Sequence, residues 1–599
     1  MHRRDLLRGV AASAVLPAVG GALAASAAPI GAARVRPGEA GWPDEAAWEG
    51  LKQAVGGRLV KPTYLFAPCE TDPKSAACAA LFKEAANPYY IGDQAGGTQV
   101  SGWLDAWSPK PSVWAVAANS TADVVAAVNF ARRHNLRLVV KGGGHSYQGT
   151  SNAADSLLVW TRTMNDITLH DAFTPQGCEG LGPPVPAVSI GAGAMWADAY
   201  GAVTTKAGRY VQGGGCATVG VAGLIQSGGF GSFSKRYGLA AASLIEAEVV
   251  TADGVARVVN ARRDPDLLWA LKGGGGGSFG VVTRLTLKTH ELGEIAGGFD
   301  LTIKAASDEA FHRLLRNFVA LCPSFINPHW GESLHIRPSN QLSVSMVFQG
   351  LTGAEAKAVW KPLLDFAAAS PGDFTVDGPS AAAQPMRGWW DYAADRAAHV
   401  PYEIFDERPG APAQHGWWRG DADQVSMFIH GYESLWLPVS LLAPDQQARL
   451  ADALFAASRH FSVALHFNKG LAGAPEAAIA AARNAATNPA VLDAFTLAII
   501  ATGGLPDYPG YPKPDLAGAK RDAERIDAAT AVLRPLAPAG GSYISESNYF
   551  NDNWGAAFWG PHYAKLRAVK ARYDPGGLFT VHHGVGSEAW SADGFTRVA

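Results

Sequence analysis

Two glycine runs in this chain each deliver one chemically active side chain. Residues 139–149 read VVKGGGHSYQG and set His145 directly behind three glycines; residues 213–224 read GGGCATVGVAGL and set Cys216 behind three more. Glycines tolerate left-handed backbone and let other groups approach closely, and successive N–H groups form a concavity that holds an anion without help from a lysine. An imidazole offers a lone pair, and a thiol becomes a strong nucleophile where its pKa is lowered. Taken singly, a loop histidine bonded to backbone and a buried structural cysteine are the plainer readings. Their pairing on matching turns favours one shared site.

A second set lies far along the chain. HFNKGLAG places His466 and Asn468 on one face of a strand by period two, with Lys469 at its end. For a lone histidine on a sheet, a structural role stands beside a catalytic one. Trp389, Trp390, Trp417, Trp418 and Trp436, with His415 and Arg419 in HGWWRGD, offer rings for stacking on a sugar or planar ligand, against the plainer reading of packing. His582 and His583 resemble a metal pair, but no H-E-x-x-H or zinc spacing accompanies them, and no metal site is expected.

Positioning these residues takes more than one core, since 599 residues exceed what a single core holds. With 48% hydrophobic and 17% charged residues the chain is globular rather than disordered, and a net charge of −3 gives no field to gather nucleic acid. Short strand and helix units alternate over 106–290. Ser120 and Thr121 open a helix with a Val124, Val125 and Val128 stripe, and LIEAEVVTADGVARVV reads as a hairpin turning at Asp253-Gly254. Longer helices with strands between them (LSVSMVF, FSVALHF) occupy 291–535, and an aromatic, glycine-rich segment closes the chain over 536–599. Residues 29–105 read as an extension with little periodicity. The pattern is α+β.

Residues 1–28 read as a twin-arginine export signal. Arg3-Arg4 precedes a weakly apolar run, and Ala25-Ser26-Ala27 offers small residues for cleavage. A membrane anchor is the poorer reading because Gly, Ala and Pro17 interrupt the run. The expected partners are therefore the twin-arginine export machinery and a small-molecule substrate, with no nucleic acid and no stable membrane insertion, in a periplasmic or secreted setting. Cys69 and Cys78 are close enough for a disulfide there, and the odd count of five leaves at least one cysteine without an intrachain partner.

Nucleotide motifs discriminate further. GGGSFG over Gly275–Gly280 matches G-x-G-x-x-G, yet it follows a helix and precedes a strand, the reverse of a Rossmann turn, and no phosphate-loop G-x-x-x-x-G-K-[ST] occurs. Instead VVKGGGHSYQG, GGGCATVGVAGLIQSGGFG, DPDLLWALKGGGGGSFGVVTRLTL and YAKLRAVKARYDPGGLF, in that order, resemble the berberine bridge enzyme-like branch of the vanillyl-alcohol oxidase flavoproteins.

The resemblance implies a PCMH-type FAD-binding fold in two sequence segments around a substrate domain of antiparallel sheet flanked by helices. It implies FAD attached twice, through His145 to the 8α methyl and through Cys216 to C6. Lys141, Gly142, Gly143, Gly144, Ser146 and Gly149 would surround the pyrophosphate, with Thr218, Val219, Gly220 and Gly223 near the ring and ribityl chain, and Gly280 and Val281 also at the cofactor. Val219 matches a position where valine accompanies oxygen use, so an oxidase with O2 as acceptor is preferred to a dehydrogenase. The reaction implied is hydride transfer from a substrate C–H to flavin N5, aided by a base. The strand AFTLAIIATGG lacks the family's usual ionisable residue. Tyr543 and Glu546, in GSYISESNYF, match an active-site tyrosine motif with Ser545 in place of its Asn; Tyr543 is the first candidate base and His466 the second, with Lys469 as neighbouring cation. A flavin-bearing protein without turnover, and a secreted sugar-binding protein with a fortuitous glycine pattern, are the alternatives from other classes.

Overall fold

The computed structural model describes residues 30–599, so the twin-arginine reading falls outside the described residues. Ser120 caps the helix Thr121–Arg133 by accepting from the Asp123 N–H, and the buried stripe Val124, Ala127, Val128 and Ala131 faces a four-stranded sheet. Its spatial order is Leu59–Val60, Trp114–Ala117, Ser156–Trp160, Arg137–Lys141, the last three parallel. Beside it lies a five-stranded antiparallel sheet ordered Ala256–Asn260, Leu244–Val250, Val281–Lys288, Val185–Gly191, Ile167–Phe173. The Asp253-Gly254 hairpin joins its first two strands, with Gly254 at φ 76°.

An eight-stranded sheet forms the second half, in the order Phe374–Pro385, Ile295–Ala305, Gln341–Gln349, Trp330–Arg337, Val463–His466, Ala494–Gly504, Phe428–Pro438, Gly102–Trp103. Helices Asp308–Leu321, Gly353–Ala368, Gln447–His460 and Leu516–Leu533 cover one face. Trp360, wholly buried there, stacks on Phe299 and Phe325 with centroids 5.2 and 5.0 Å apart. Side chains alternate between faces along a strand, so Trp436, Ala464, Leu497 and Ile499 project the other way and pack on Phe230, Leu239 and Tyr543 of the glycine-loop segments. The two halves thus meet across this face. The final helix returns to the first half: Lys570 donates to Ser278 O (2.6 Å) and Phe579 O (2.5 Å), and Phe579 bridges to Leu138.

The stretch read as an aperiodic extension is structured and belongs to both halves. Helix Glu45–Ala54 packs on Thr121–Arg133, strand Leu59–Val60 edges the first sheet, and Gly102–Trp103 adds in parallel to the edge of the eight-stranded sheet. Its elements are short and draw their partners from distant sequence, which leaves little periodicity to read. Cys69 and Cys78 are joined by a disulfide, and Cys178, Cys216 and Cys322 are free. Among the described residues no helix is long and apolar enough to cross a membrane.

Candidate active site

The two glycine loops cross back to back. A Cβ at Gly143 would stand 3.0 Å from Gly220 N and 3.3 Å from Thr218 O, and one at Gly220 would stand 3.0 Å from Gly143 N. Only glycines allow that approach. It brings His145 Nε2 to 3.1 Å from the Thr218 hydroxyl and so locks the His145 loop to the Cys216 loop. Gly144 takes φ 80°, open to glycine at little cost. Burial holds the His145 imidazole neutral, its pKa down at about 4. The Cys216 thiol is the reverse of the lowered thiol expected: burial, then the neighbouring Asp421 carboxylate, push its pKa well up.

Several residues assigned to the cofactor are spent elsewhere. Lys141 is 2% exposed and donates to the carbonyls of Gln94 (2.9 Å), Ala95 and Gly97 (3.0 Å), so it ties down the 94–97 loop instead of reaching a phosphate; burial lowers its pKa to about 7. Gly149, at φ 68°, leaves room for the Trp107 ring, 2.5 Å from where a Cβ would lie. Gly280 ends its glycine loop against Val250 O, and Val281 begins the next strand as a wholly buried residue paired with Val250. The Ser146 hydroxyl accepts from the Thr150 N–H and hydroxyl as a local turn.

Opposite the loops stand side chains of the eight-stranded sheet. Lys469 pairs with both Glu546 oxygens at 2.6 and 2.5 Å, and the Trp436 indole donates to Lys469 O at 2.7 Å, fixing where the lysine starts. Tyr147 lies 5.4 Å from Tyr432, ring to ring. His466 ends its strand, and Asn468 falls in the following turn, so the period-two pairing of the two fails. Burial and the Lys469 and His335 charges drive the His466 pKa well down, and its Nδ1 has no partner. Tyr543 also departs from expectation. It is 5% exposed, packs edge-on to Phe230, and burial followed by the Glu546 charge raises its pKa, the wrong direction for a base. The tryptophans do not gather into a platform: Trp390 stacks on Tyr200, Trp417 and Trp436 are buried, and Trp418 is exposed. Among the described residues no group of three or more His, Cys, Asp or Glu could hold a metal, and His582 stacks on Tyr549.

Sequence reasoning missed Glu332, Asp421, Tyr147 and Tyr432. By alternation Glu332 belongs with Trp330, Leu334 and Ile336, all in the helix-covered core. Its backbone is left-handed instead, φ 63°, a conformation costing a non-glycine residue about 1–2 kcal/mol. Its carboxylate accepts from the Ser232 hydroxyl and from Asn468 Nδ2 at 3.5 Å, and lies 3.4 Å from where a Cβ of Gly215 would be. No alternation pattern reveals such a turn. Asp421, Lys469 and Glu332 lie close enough for their charges to act on Cys216, Glu546 and Cys216 likewise act on Tyr147 and Tyr432, and Lys469 acts on His466, so these residues gather where the glycine loops meet the second half.

The residues gathered here fit FAD. Gly223 is exposed and a Cβ there would meet no atom within 4 Å, while amide oxygens of Gln99, Gln148 and Asn152 beside the His145 loop are buried without partners. Hydroxyls of a ribityl chain and the ring N–H are donors of the kind these oxygens lack. His145 and Cys216 would stand at the ring and the exposed glycines along the chain.

Residues 114–260 match the FAD binding domain family, and residues 507–586 the berberine and berberine-like family. The VAO-type flavoprotein oxidase VAO615 of Thermothelomyces thermophilus is 30% identical over 94% of this chain and 95% of its own. The crystal structure of VAO-type flavoprotein MtVAO615 from Myceliophthora thermophila C1 superposes with a TM-score of 0.76 at 27% identity, covering 94% of this chain and 100% of that one. A glucooligosaccharide oxidase from Acremonium strictum, whose FAD is 6-S-cysteinyl and 8α-N1-histidyl, shares the fold at TM-score 0.62 and 20% identity over 85% of this chain and 98% of its own. With its paired glycine loops and two-halved α+β fold, the chain belongs to the VAO-type flavoproteins, in their berberine bridge enzyme-like branch, and is an FAD-dependent oxidoreductase.

Proposed function

We propose that this protein is an exported oxidase that takes hydride from a C–H bond of an alcohol, sugar or secondary-metabolite substrate and passes the electrons to O2, giving H2O2. FAD, when bound, supplies the hydride acceptor and the route to oxygen. The observation that carries the reading is that the locked His145 and Cys216 loops stand against ionisable groups of the second half, Glu332, Asp421 and Lys469, whose charges act on Cys216.

Attachment through His145 and Cys216 is part of the proposal. Thr218 engages His145 Nε2, and Nδ1, the nitrogen named in the oligosaccharide oxidase, makes no hydrogen bond on a ring that burial keeps neutral. The raised Cys216 thiol needs a proton acceptor, and Asp421, whose pKa burial lifts to about 6, is beside it. Val219 is only partly buried, and a small side chain there supports oxygen access at the position the resemblance sets beside the ring. The Cys69–Cys78 disulfide supports an oxidising compartment, in line with export through the Arg3-Arg4 signal.

The test is the mass of the denatured chain in wild type, His145→Ala, Cys216→Ala and the double variant. Peroxide assays over glucose, cellobiose, benzyl alcohol, vanillyl alcohol and cinnamyl alcohol accompany it. Mass raised by one FAD and lost only in the double variant, with oxygen-dependent peroxide from one of these substrates, is expected. Colourless protein, or flavin that none of the five reduces, overturns the reading.

A further inference from the structure

We propose that Glu332 is the general base of the reaction, taking the hydroxyl proton of the substrate as its C–H hydride departs; this rests on the oxidase reading above. Three features set Glu332 apart. Its strand, Trp330–Arg337, keeps register with Gln341–Gln349 throughout, so the left-handed backbone at residue 332 repairs no bulge. What it accomplishes is to turn a carboxylate out of the apolar face occupied by Trp330, Leu334 and Ile336 and toward the Cys216 loop. Second, Gly331 permits the turn, because a Cβ there would stand 1.8 Å from Ser232 O; the same contact delivers the Ser232 hydroxyl to Glu332 Oε1. Third, Glu332 Oε2 meets only Asn468 Nδ2, at 3.5 Å, which leaves that oxygen open to accept a proton.

The rival candidates are less suited. Lys469 and Glu546 are committed to each other, Tyr543 is buried with its proton held, and His466 resists protonation. Burial raises the Glu332 pKa against the opposing help of Ser232 and Lys469, moving it toward the range where a carboxylate is an effective base. The charged and titratable groups around it are Lys469, Glu546, Asp421, Cys216, Tyr200 and Tyr210. The step balances: the O–H proton goes to the carboxylate, the carbon loses hydride to the flavin and becomes a carbonyl, and O2 takes the two electrons and two protons as H2O2.

The test is the anaerobic rate of flavin bleaching with whichever of the five substrates bleaches wild type fastest, in wild type, Glu332→Gln, Glu332→Asp and Ser232→Ala, across pH. Glu332→Gln is expected to slow bleaching by about 100-fold or more with flavin content and melting temperature unchanged, and Glu332→Asp to retain part of the rate. The wild-type rate falls as acid protonates the base. Ser232→Ala removes a donor to the carboxylate, so this acid limb moves to higher pH, which a merely structural residue would not cause. A Glu332→Gln rate equal to wild type, or an unmoved limb in Ser232→Ala, overturns the assignment while leaving the oxidase reading intact. Wild-type flavin that no substrate bleaches overturns both.

Discussion

Replacing Gly143 by alanine tests the loop crossing on which the site depends. The new Cβ would lie 3.0 Å from Gly220 N and 3.3 Å from Thr218 O, both backbone atoms that cannot rotate aside, where real Cβ contacts seldom fall below 3.4 Å. The Cys216 loop must therefore retreat by about 0.4 Å, an overpacking that costs about 1–3 kcal/mol. The same retreat stretches the 3.1 Å His145–Thr218 contact to the limit of a hydrogen bond and frees the imidazole to turn. Melting followed by tryptophan fluorescence should show Tm lowered by roughly 1–3 °C, and the mass of the denatured chain should show flavin attachment reduced several-fold. Gly143→Ala with Tm unchanged and attachment complete would refute the tight crossing and the reasoning that ties it to His145.

Gly223→Ala has the opposite signature: in the helix Val221–Gln226 with no atom near its Cβ, it should stabilise flavin-free protein by about 0.4–1 kcal/mol while lowering flavin content, read by urea unfolding and by absorbance. Asp406 is fully buried, and although burial opposes its charge, Arg408 (2.7 and 2.8 Å) and Asn87 (2.8 Å) hold its pKa at about 2. With a folded pKa below the unfolded one, its contribution of about 2 kcal/mol is present above pH ~4 and lost as pH falls toward 2; urea unfolding of Asp406→Asn and wild type should differ at pH 7 and converge in acid. Trp360→Ala, emptying a wholly buried ring from the helix-covered core, should cost about 3–5 kcal/mol in the same assay.

Much of the fold was legible because local signals agreed with it. Ser120 followed by an apolar stripe marked the helix Thr121–Arg133, Asp253-Gly254 marked a hairpin, and the order of the glycine runs marked the family. The extension was misread because its strands Leu59–Val60 and Gly102–Trp103 have two residues each and take their meaning from partners far along the chain. Lys141 was misread for a related reason: a lysine beside glycines matches a phosphate site in sequence, whereas the 94–97 carbonyls that claim its ammonium are invisible there.

The chain by itself determined that two glycine turns would present a histidine and a cysteine, since glycine spacing is a local backbone property. It also determined the amphipathic stripes that had to be buried. Only the tertiary structure decided which charged groups face them. The environment of a carboxylate or thiol is set by neighbours from other strands: Asp421 raises Cys216, Glu546 occupies Lys469, and a single left-handed residue turns Glu332 out of the core, where period two would have buried it. Electrostatics acts through space and alternation acts along the chain, so the turns could be read from residues alone and the ionisable wall facing them could not.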